Sequence, residues 1–70
     1  MNRKIKITYL QDHIIDESFT IPKDTIYYMT ERFPELGLQD LDFRLNTEKG
    51  KYHFTTEDLV NQGIIKQELQ

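Results

Sequence analysis

Apolar and polar residues alternate over residues 3–10 and again over residues 14–21, which is the pattern of strands with one buried face. The apolar positions are Ile5, Ile7, Tyr9, Ile15, Phe19 and Ile21. The polar run between the two stretches can turn the chain, so they are predicted to pair as a hairpin. Glu17 falls on the apolar side of the second stretch and indicates a bulge or a sheet edge there.

A second pair of alternating stretches lies in the C-terminal half of the chain. Residues 41–46 and residues 51–54 alternate in the same way, on either side of a polar turn at residues 47–50. Gly50 can take the positive φ that tight turns use. These stretches are predicted to form a third and a fourth strand.

The segment between the two pairs is predicted to be a short helix. Asp24 or Thr25 can accept a hydrogen bond from its first turn. A stripe with the spacing of one helical face follows, formed by Ile26, Met29 and Phe33. Pro34 disfavours helical geometry at the residue before it, and Gly37 marks the turn after the helix.

The last fifteen or so residues combine a capping signal with an ambiguous end. Thr55 and Asp58 form a capping box for a short helix, and Gly63 can end that helix. Residues 64–69 fit either a short strand or a second helical turn. The predicted element order is therefore β-β-α-β-β, then a short helix, and then one of these two alternatives.

This order resembles the β-grasp fold, and some residues are similar to ubiquitin-like proteins in particular. Residues 19–26 contain the Pro-x-Asp-Thr-Ile run that starts the central helix of that family, and residues 56–59 with Gly63 and Ile64 resemble its late helix and final strand. The chain ends in Glu-Leu-Gln, so the resemblance implies the fold and not the Gly-Gly tail of conjugated members. The predicted fold class is α+β, β-grasp-like, with residues 1–70 as one domain. The alternative is a ββαββα sandwich of one sheet and two helices.

Composition narrows the class of protein. The chain has 70 residues, of which 37% are hydrophobic and 30% charged, as in one small globular domain. It has no cysteine, so its eight aromatic residues are expected to form most of the core in place of disulfides. No run of about 18 apolar residues and no signal-peptide pattern is present. A cytoplasmic location without a membrane partner is expected, and the brevity is typical of bacterial or phage proteins.

Few residues suit catalysis. Ser18 has no Gly-x-Ser-x-Gly context, and no glycine-rich phosphate loop is present. His13 lies beside Asp12, Asp16 and Glu17, a set that can bind metal or exchange protons. The alternation of the flanking residues favours solvated charges at a hairpin turn instead. The chain is therefore predicted not to be an enzyme and to use no metal or cofactor.

Two tyrosines fall outside the apolar stripe of the predicted helix. Exposed Tyr27 and Tyr28 beside Glu31 are typical of a surface that recognises another protein. The alternative is that they pack against residues 36–38. Tyr27, Tyr28 and Glu31 are the predicted partner-binding residues.

A second candidate surface is basic. It contains Arg3, Lys4, Lys6, Lys49 and Lys51, which would meet if the first strand and the turn at residues 47–50 lay on one side. The alternative is that the lysines protect an edge strand from aggregation. The net charge of −3 argues against nonspecific binding to nucleic acid.

The function predicted first is a protein-interaction module or small regulator. It would dock through its helix face or a sheet edge onto another protein or a second copy of itself. One alternative is an acidic inhibitor that occupies the nucleic-acid-binding surface of another protein. The other is a weak nucleic-acid binder that uses the basic first strand.

Overall fold

The computed structural model of the protein describes residues 3–31 and 40–70. This part of the chain forms seven strands and one short helix, and every strand pairing is antiparallel. The elements are β1 (Arg3–Tyr9), β2 (His13–Asp16), β3 (Phe19–Ile21), β4 (Ile26–Glu31), β5 (Asp42–Asn46), β6 (Lys51–Thr55), α1 (Thr56–Asn61) and β7 (Ile65–Leu69). The α+β class is confirmed. No helix among the described residues has the length and apolar composition to cross a membrane.

The first strand is the centre of the fold. β1 lies between β4 and β7 in a three-stranded sheet, while β2 pairs with β3 and β5 pairs with β6 as separate hairpins. The predicted hairpin between residues 3–10 and residues 14–21 is therefore wrong. The second stretch folds back on itself, because its turn lies at Glu17 and Ser18. A register shift between Ile14 and Asp16 supplies the bulge that Glu17 had indicated.

The core is built mainly from isoleucine. Its buried residues are Ile5, Ile7, Tyr9, Ile21, Leu59, Ile64 and Ile65. Phe43 and Phe54 pack against this cluster only partly buried, and Phe19 is exposed. The expectation that most aromatic residues form the core is therefore wrong for the described residues, in which Tyr9 is the only fully buried aromatic side chain.

The predicted helix after Thr25 is also wrong, because Ile26–Glu31 is strand β4. Four of these six residues are β-branched or aromatic, a composition that suits a pleated strand better than a helix. Asp24 does not cap a helix but occupies a turn with a φ of 70°. The β-grasp plan and the sandwich alternative both depended on this helix. Phe33, Pro34 and Gly37, which belonged to the same prediction, lie outside the described residues.

Three other predictions about local structure are confirmed or decided. β5 and β6 form the expected hairpin around the turn at residues 47–50. The Thr55 hydroxyl accepts a hydrogen bond from the Asp58 N–H, as the capping box requires. Ile65–Leu69 is a strand, which decides between the two alternatives for the last segment.

Gly50, in the turn between β5 and β6, and Gly63, just after α1, offer a matched test of backbone conformation. Gly63 has a φ of +74° and open space where a Cβ would lie, whereas Gly50 lacks this conformation and would place a Cβ in ordinary contact with Tyr52. Gly63→Ala should therefore lower the free energy of unfolding by about 1–2 kcal/mol. Gly50→Ala should change it little, since its backbone needs no positive φ. Urea unfolding of both variants measures this, and equal destabilisation by the two would contradict the assignment.

Candidate functional site

The two tyrosines predicted to bind a partner lie on β4, an outer strand of the three-stranded sheet. β4 is paired with β1 on one side, and no described strand pairs with its other side. Ile26, Tyr27 and Tyr28 expose 46%, 39% and 59% of their surface. Three successive exposed apolar residues on an outer strand form a candidate docking edge. The alternative of packing against residues 36–38 concerns a segment outside the described residues.

The backbone of this strand presents hydrogen-bonding groups outward. The Tyr9 N–H donates to the Thr25 carbonyl at 2.9 Å, so odd-numbered residues of β1 face β4 through their backbone. In an antiparallel pair the bonded residues alternate, and the residues between them point their N–H and C=O groups away. On β4 the outward-pointing residues are Ile26, Tyr28 and Thr30.

Successive side chains of β4 point to opposite faces of the sheet. Tyr28 stands opposite Lys6 on the solvent face of the sheet, whereas Tyr27 stands opposite buried Ile7. The Tyr27 ring also meets the Tyr9 ring edge-on, with centroids 6.0 Å apart. Tyr28 is therefore the more exposed of the two tyrosines, while Tyr27 partly completes the core.

An apolar groove runs beside this edge. Its volume is about 250 Å³, and its lining residues are Tyr9, Ile21, Tyr27, Tyr28, Met29, Phe43 and Leu45. The groove therefore lies between β4 and β5, the outer strands of two different sheets. We name the outward backbone groups of β4 together with the exposed side chains of Ile26 and Tyr28 the β4 edge.

Sequence reasoning missed the part that Ile26 and Thr30 play at this edge, because a helix was expected there. The density of β-branched and aromatic residues in Ile26–Glu31 was the signal that could have found it. The sequence predicts Tyr27 and Tyr28 as binding residues for a different reason, because they fall outside the apolar stripe of the predicted helix. They are exposed in the strand as well, although on opposite faces.

Glu31 does not belong to the exposed surface. It is fully buried, and its Oε2 atom accepts hydrogen bonds from Arg3 Nε at 2.9 Å and Arg3 Nη2 at 2.6 Å. The two residues face each other across β1 and β4. Burial of Glu31 corrects its assignment as a partner-binding residue, and the ion pair takes Arg3 out of the basic surface.

The remaining basic residues are divided between two sheets. Lys4 and Lys6 lie on the solvent face of β1, which is a central strand and not an edge. Lys49 lies in the turn of the β5–β6 hairpin, and Lys51 is the first residue of β6. In the described part of the chain, these residues therefore do not form the basic edge strand that the sequence suggested.

Asp16 forms a polar connection between the two hairpins. Its Oδ2 atom accepts hydrogen bonds from the Thr47 hydroxyl and from the Tyr52 hydroxyl at 2.8 Å. Its Oδ1 atom accepts from the Ser18 hydroxyl at 2.7 Å. These bonds, that from Thr47 foremost, hold the pKa of Asp16 well below its usual range, and the bond to Asp16 raises the pKa of Tyr52. Asp16 is thus fully used as a structural acceptor.

His13 is held by aromatic rings. Its ring stacks on Tyr9 with centroids 6.0 Å apart and meets Phe54 edge-on at 4.9 Å. Burial lowers the pKa of His13 below its ordinary value of 6.5, because the charged form loses hydration. In residues 3–31 and 40–70 no three histidine or acidic side chains are grouped as metal ligands. His13 therefore packs between β1 and β6.

The chain matches no protein-family model, no curated protein and no solved structure. The resemblance to ubiquitin-like proteins therefore stays a prediction. Its Pro-x-Asp-Thr-Ile run leads into strand β4 in this structure.

Replacing Asp16 with Asn tests the connection between the hairpins. Asp16→Asn should lower the free energy of unfolding at neutral pH, because Thr47 and Tyr52 lose a charged acceptor. The lowered pKa means that the ionised side chain stabilises the folded state above the ordinary aspartate pKa. That stabilisation disappears as the pH falls through the lowered folded-state pKa.

Urea unfolding of wild type and Asp16→Asn over a series of pH values measures this effect. The difference between the two proteins should narrow in acid. Glu17→Gln removes the same charge from the exposed neighbouring residue and should unfold like the wild type throughout. A difference that stays constant with pH would contradict the role given to Asp16.

His13 should produce a separate pH dependence in a milder range. Since its pKa is lower in the folded than in the unfolded protein, the unfolded chain takes up a proton first as the pH falls below 6.5. The free energy of unfolding should therefore decrease from this pH downward until the folded protein is also protonated. His13→Phe should abolish this decrease and keep an aromatic ring between Tyr9 and Phe54.

The control for this experiment is His53→Gln, which removes an exposed histidine that pairs with Asp42. This variant should keep the decrease in the free energy of unfolding that is expected for the wild type between neutral and mildly acidic pH. Thermal unfolding followed by circular dichroism suffices to compare the three proteins. If His53→Gln lost the decrease and His13→Phe kept it, the assignment to His13 would be wrong.

Proposed function

We propose that this protein is a non-enzymatic protein-interaction module that binds an extended segment of its partner along the β4 edge. The observation that carries the proposal is that β4, among the described strands, is paired on one side only, and that its outward residues are uncharged and expose apolar side chains. An added strand gains backbone hydrogen bonds from such an edge, and its alternate side chains give specificity. Docking through a helix face is not proposed, since the segment expected to supply that helix is β4 itself.

Charge separates the β4 edge from β7, the opposite outer strand of its own sheet, and from β5 across the groove. β7 exposes Lys66 and Glu68, whose charged groups lie 3.4 Å apart, and β5 exposes Asp42 and Arg44. Charged side chains on outer strands oppose unwanted pairing. Residues 26–30 of β4 carry no charge. The β4 edge therefore lacks the usual protection, which supports its use in recognition.

The apolar groove supports the same mode of binding. Side chains of a strand added to β4 would alternate between the solvent face and the face of Tyr27 and Met29. Those on the second face would enter the groove, which Phe43 and Leu45 complete from β5. The preferred partner segment is therefore extended and carries apolar side chains at alternate positions.

Affinity capture from a cell lysate, with a charge placed on each outer strand in turn, tests this proposal. Tyr28→Lys places a charge at the centre of the β4 edge and should abolish capture of the specific partner. Leu69→Lys is the matched control, because Leu69 is exposed to a similar degree on β7, the opposite outer strand. It should capture the same proteins as the wild type. Recovery of the same proteins with Tyr28→Lys would exclude docking at this edge.

A further inference from the structure

Resting on the proposed function, we infer that the partner at the β4 edge is a second copy of this chain. Two β4 strands would pair antiparallel across a twofold axis and join their three-stranded sheets into one sheet of six strands. A twofold interface uses the same residues on both copies, so the strand has to be complementary to itself. The pattern of residues 26–30 meets this condition in register, charge and side-chain packing.

The register follows from the outward-pointing residues. In an antiparallel pair, residues that point toward each other exchange two backbone hydrogen bonds. Centring the axis on Tyr28 brings Tyr28 opposite its own copy and places Ile26 opposite Thr30 in both directions. All three outward residues then find partners. An axis centred on Tyr27 would leave Thr30 without a partner within residues 26–30. An axis centred on Met29 would leave Ile26 without one.

Charge does not oppose this arrangement. Residues 26–30 are uncharged, so a second copy brings no like charge into direct contact. Within one copy, Lys6 of β1 lies directly opposite Tyr28 on the solvent face. Glu68 of β7 lies opposite Lys6 on its other side. The two Lys6 positions would lie three strand spacings apart, about 14 Å. This is longer than the Debye length of about 8 Å at physiological ionic strength.

Side chains on both faces also match. On the solvent face the two Tyr28 rings would lie side by side at the axis, covering the most exposed aromatic surface of the described strands. On the other face Tyr27 of each copy would stand opposite Met29 of the other, an aromatic–thioether contact. Both residues line the apolar groove, so the two grooves would meet at the interface.

Light scattering coupled to size-exclusion chromatography tests the inference on the purified full chain. The wild type should change from 8.4 kDa toward twice that mass as its concentration rises. The series extends to about 1 mM, because an interface one strand wide falls at the small end of the size range for protein interfaces. Tyr28→Lys should remain at 8.4 kDa with an unchanged circular dichroism spectrum, and Leu69→Lys should behave as the wild type.

Disulfide trapping then tests the register, since the chain contains no cysteine of its own. Tyr28→Cys would place two thiols opposite each other at a Cα separation of about 5.5 Å, which a disulfide spans. It should form a covalent dimer under mild oxidation far faster than Leu69→Cys. Equal rates for the two variants would overturn the twofold register.

A wild type that stays at 8.4 kDa throughout the concentration series overturns the second copy as partner. So does a dimer that Tyr28→Lys leaves intact. If the purified chain is a monomer and capture from lysate still depends on Tyr28, the inference fails while the proposed function stands. If neither measurement depends on Tyr28, both fail.

Discussion

The backbone alternation of β1 is the constraint on which the rest of the structure depends. The backbones of its odd-numbered residues bond to β4, and the side chains of Ile5, Ile7 and Tyr9 are buried. The backbones of the even-numbered residues bond to β7. At the two ends of this pairing, the Lys4 carbonyl accepts from the Gln70 N–H and the Leu10 N–H donates to the Ile64 carbonyl. A slip of one residue would move the buried side chains to the solvent face and bring lysines into the core. The register of β1 therefore also decides which residues of β4 point outward. The candidate docking edge is a direct consequence of this central strand.

β4 is anchored at both of its ends, and no strand in residues 3–31 or 40–70 pairs with its outer edge. At one end the Asp24 N–H donates to the Tyr9 carbonyl in a turn of positive φ. At the other end a partly buried ion pair joins Arg3 to Glu31. Two charge-assisted hydrogen bonds to one carboxylate oxygen therefore hold this end of β4 against β1. A strand fixed in this way loses little conformational freedom when it binds, which favours association.

Hydrogen bonds between elements supply part of the stabilisation that disulfides give to other small domains. The chain has no cysteine, and its core is a small cluster dominated by isoleucine. Asp16 ties the β2–β3 hairpin to the turn between β5 and β6. The Thr56 N–H and hydroxyl bond to the Leu41 carbonyl and the Asp40 carboxylate, which ties the start of α1 to the segment before β5. The core and these hydrogen bonds together therefore join the separate sheets. The hydrogen bonds form only when the sheets have this relative orientation.

Three local features of this protein could be predicted from its sequence alone. The β5–β6 hairpin, the Thr55 cap and the turn at Gly63 depend on residues a few positions apart, so their signals are contained in short stretches of chain. The exposure of Tyr27 and Tyr28 was also anticipated, although from a helix that is not present. Only the tertiary structure decided that β1 pairs with β4 and β7, that Ile26–Glu31 is a strand, and that Glu31 is buried. The pairing of β1 and the burial of Glu31 depend on contacts between segments far apart in the chain, which no short pattern encodes. The strand at Ile26–Glu31 also agrees with its local β-branched and aromatic composition, but its pairing with β1 is such a distant contact.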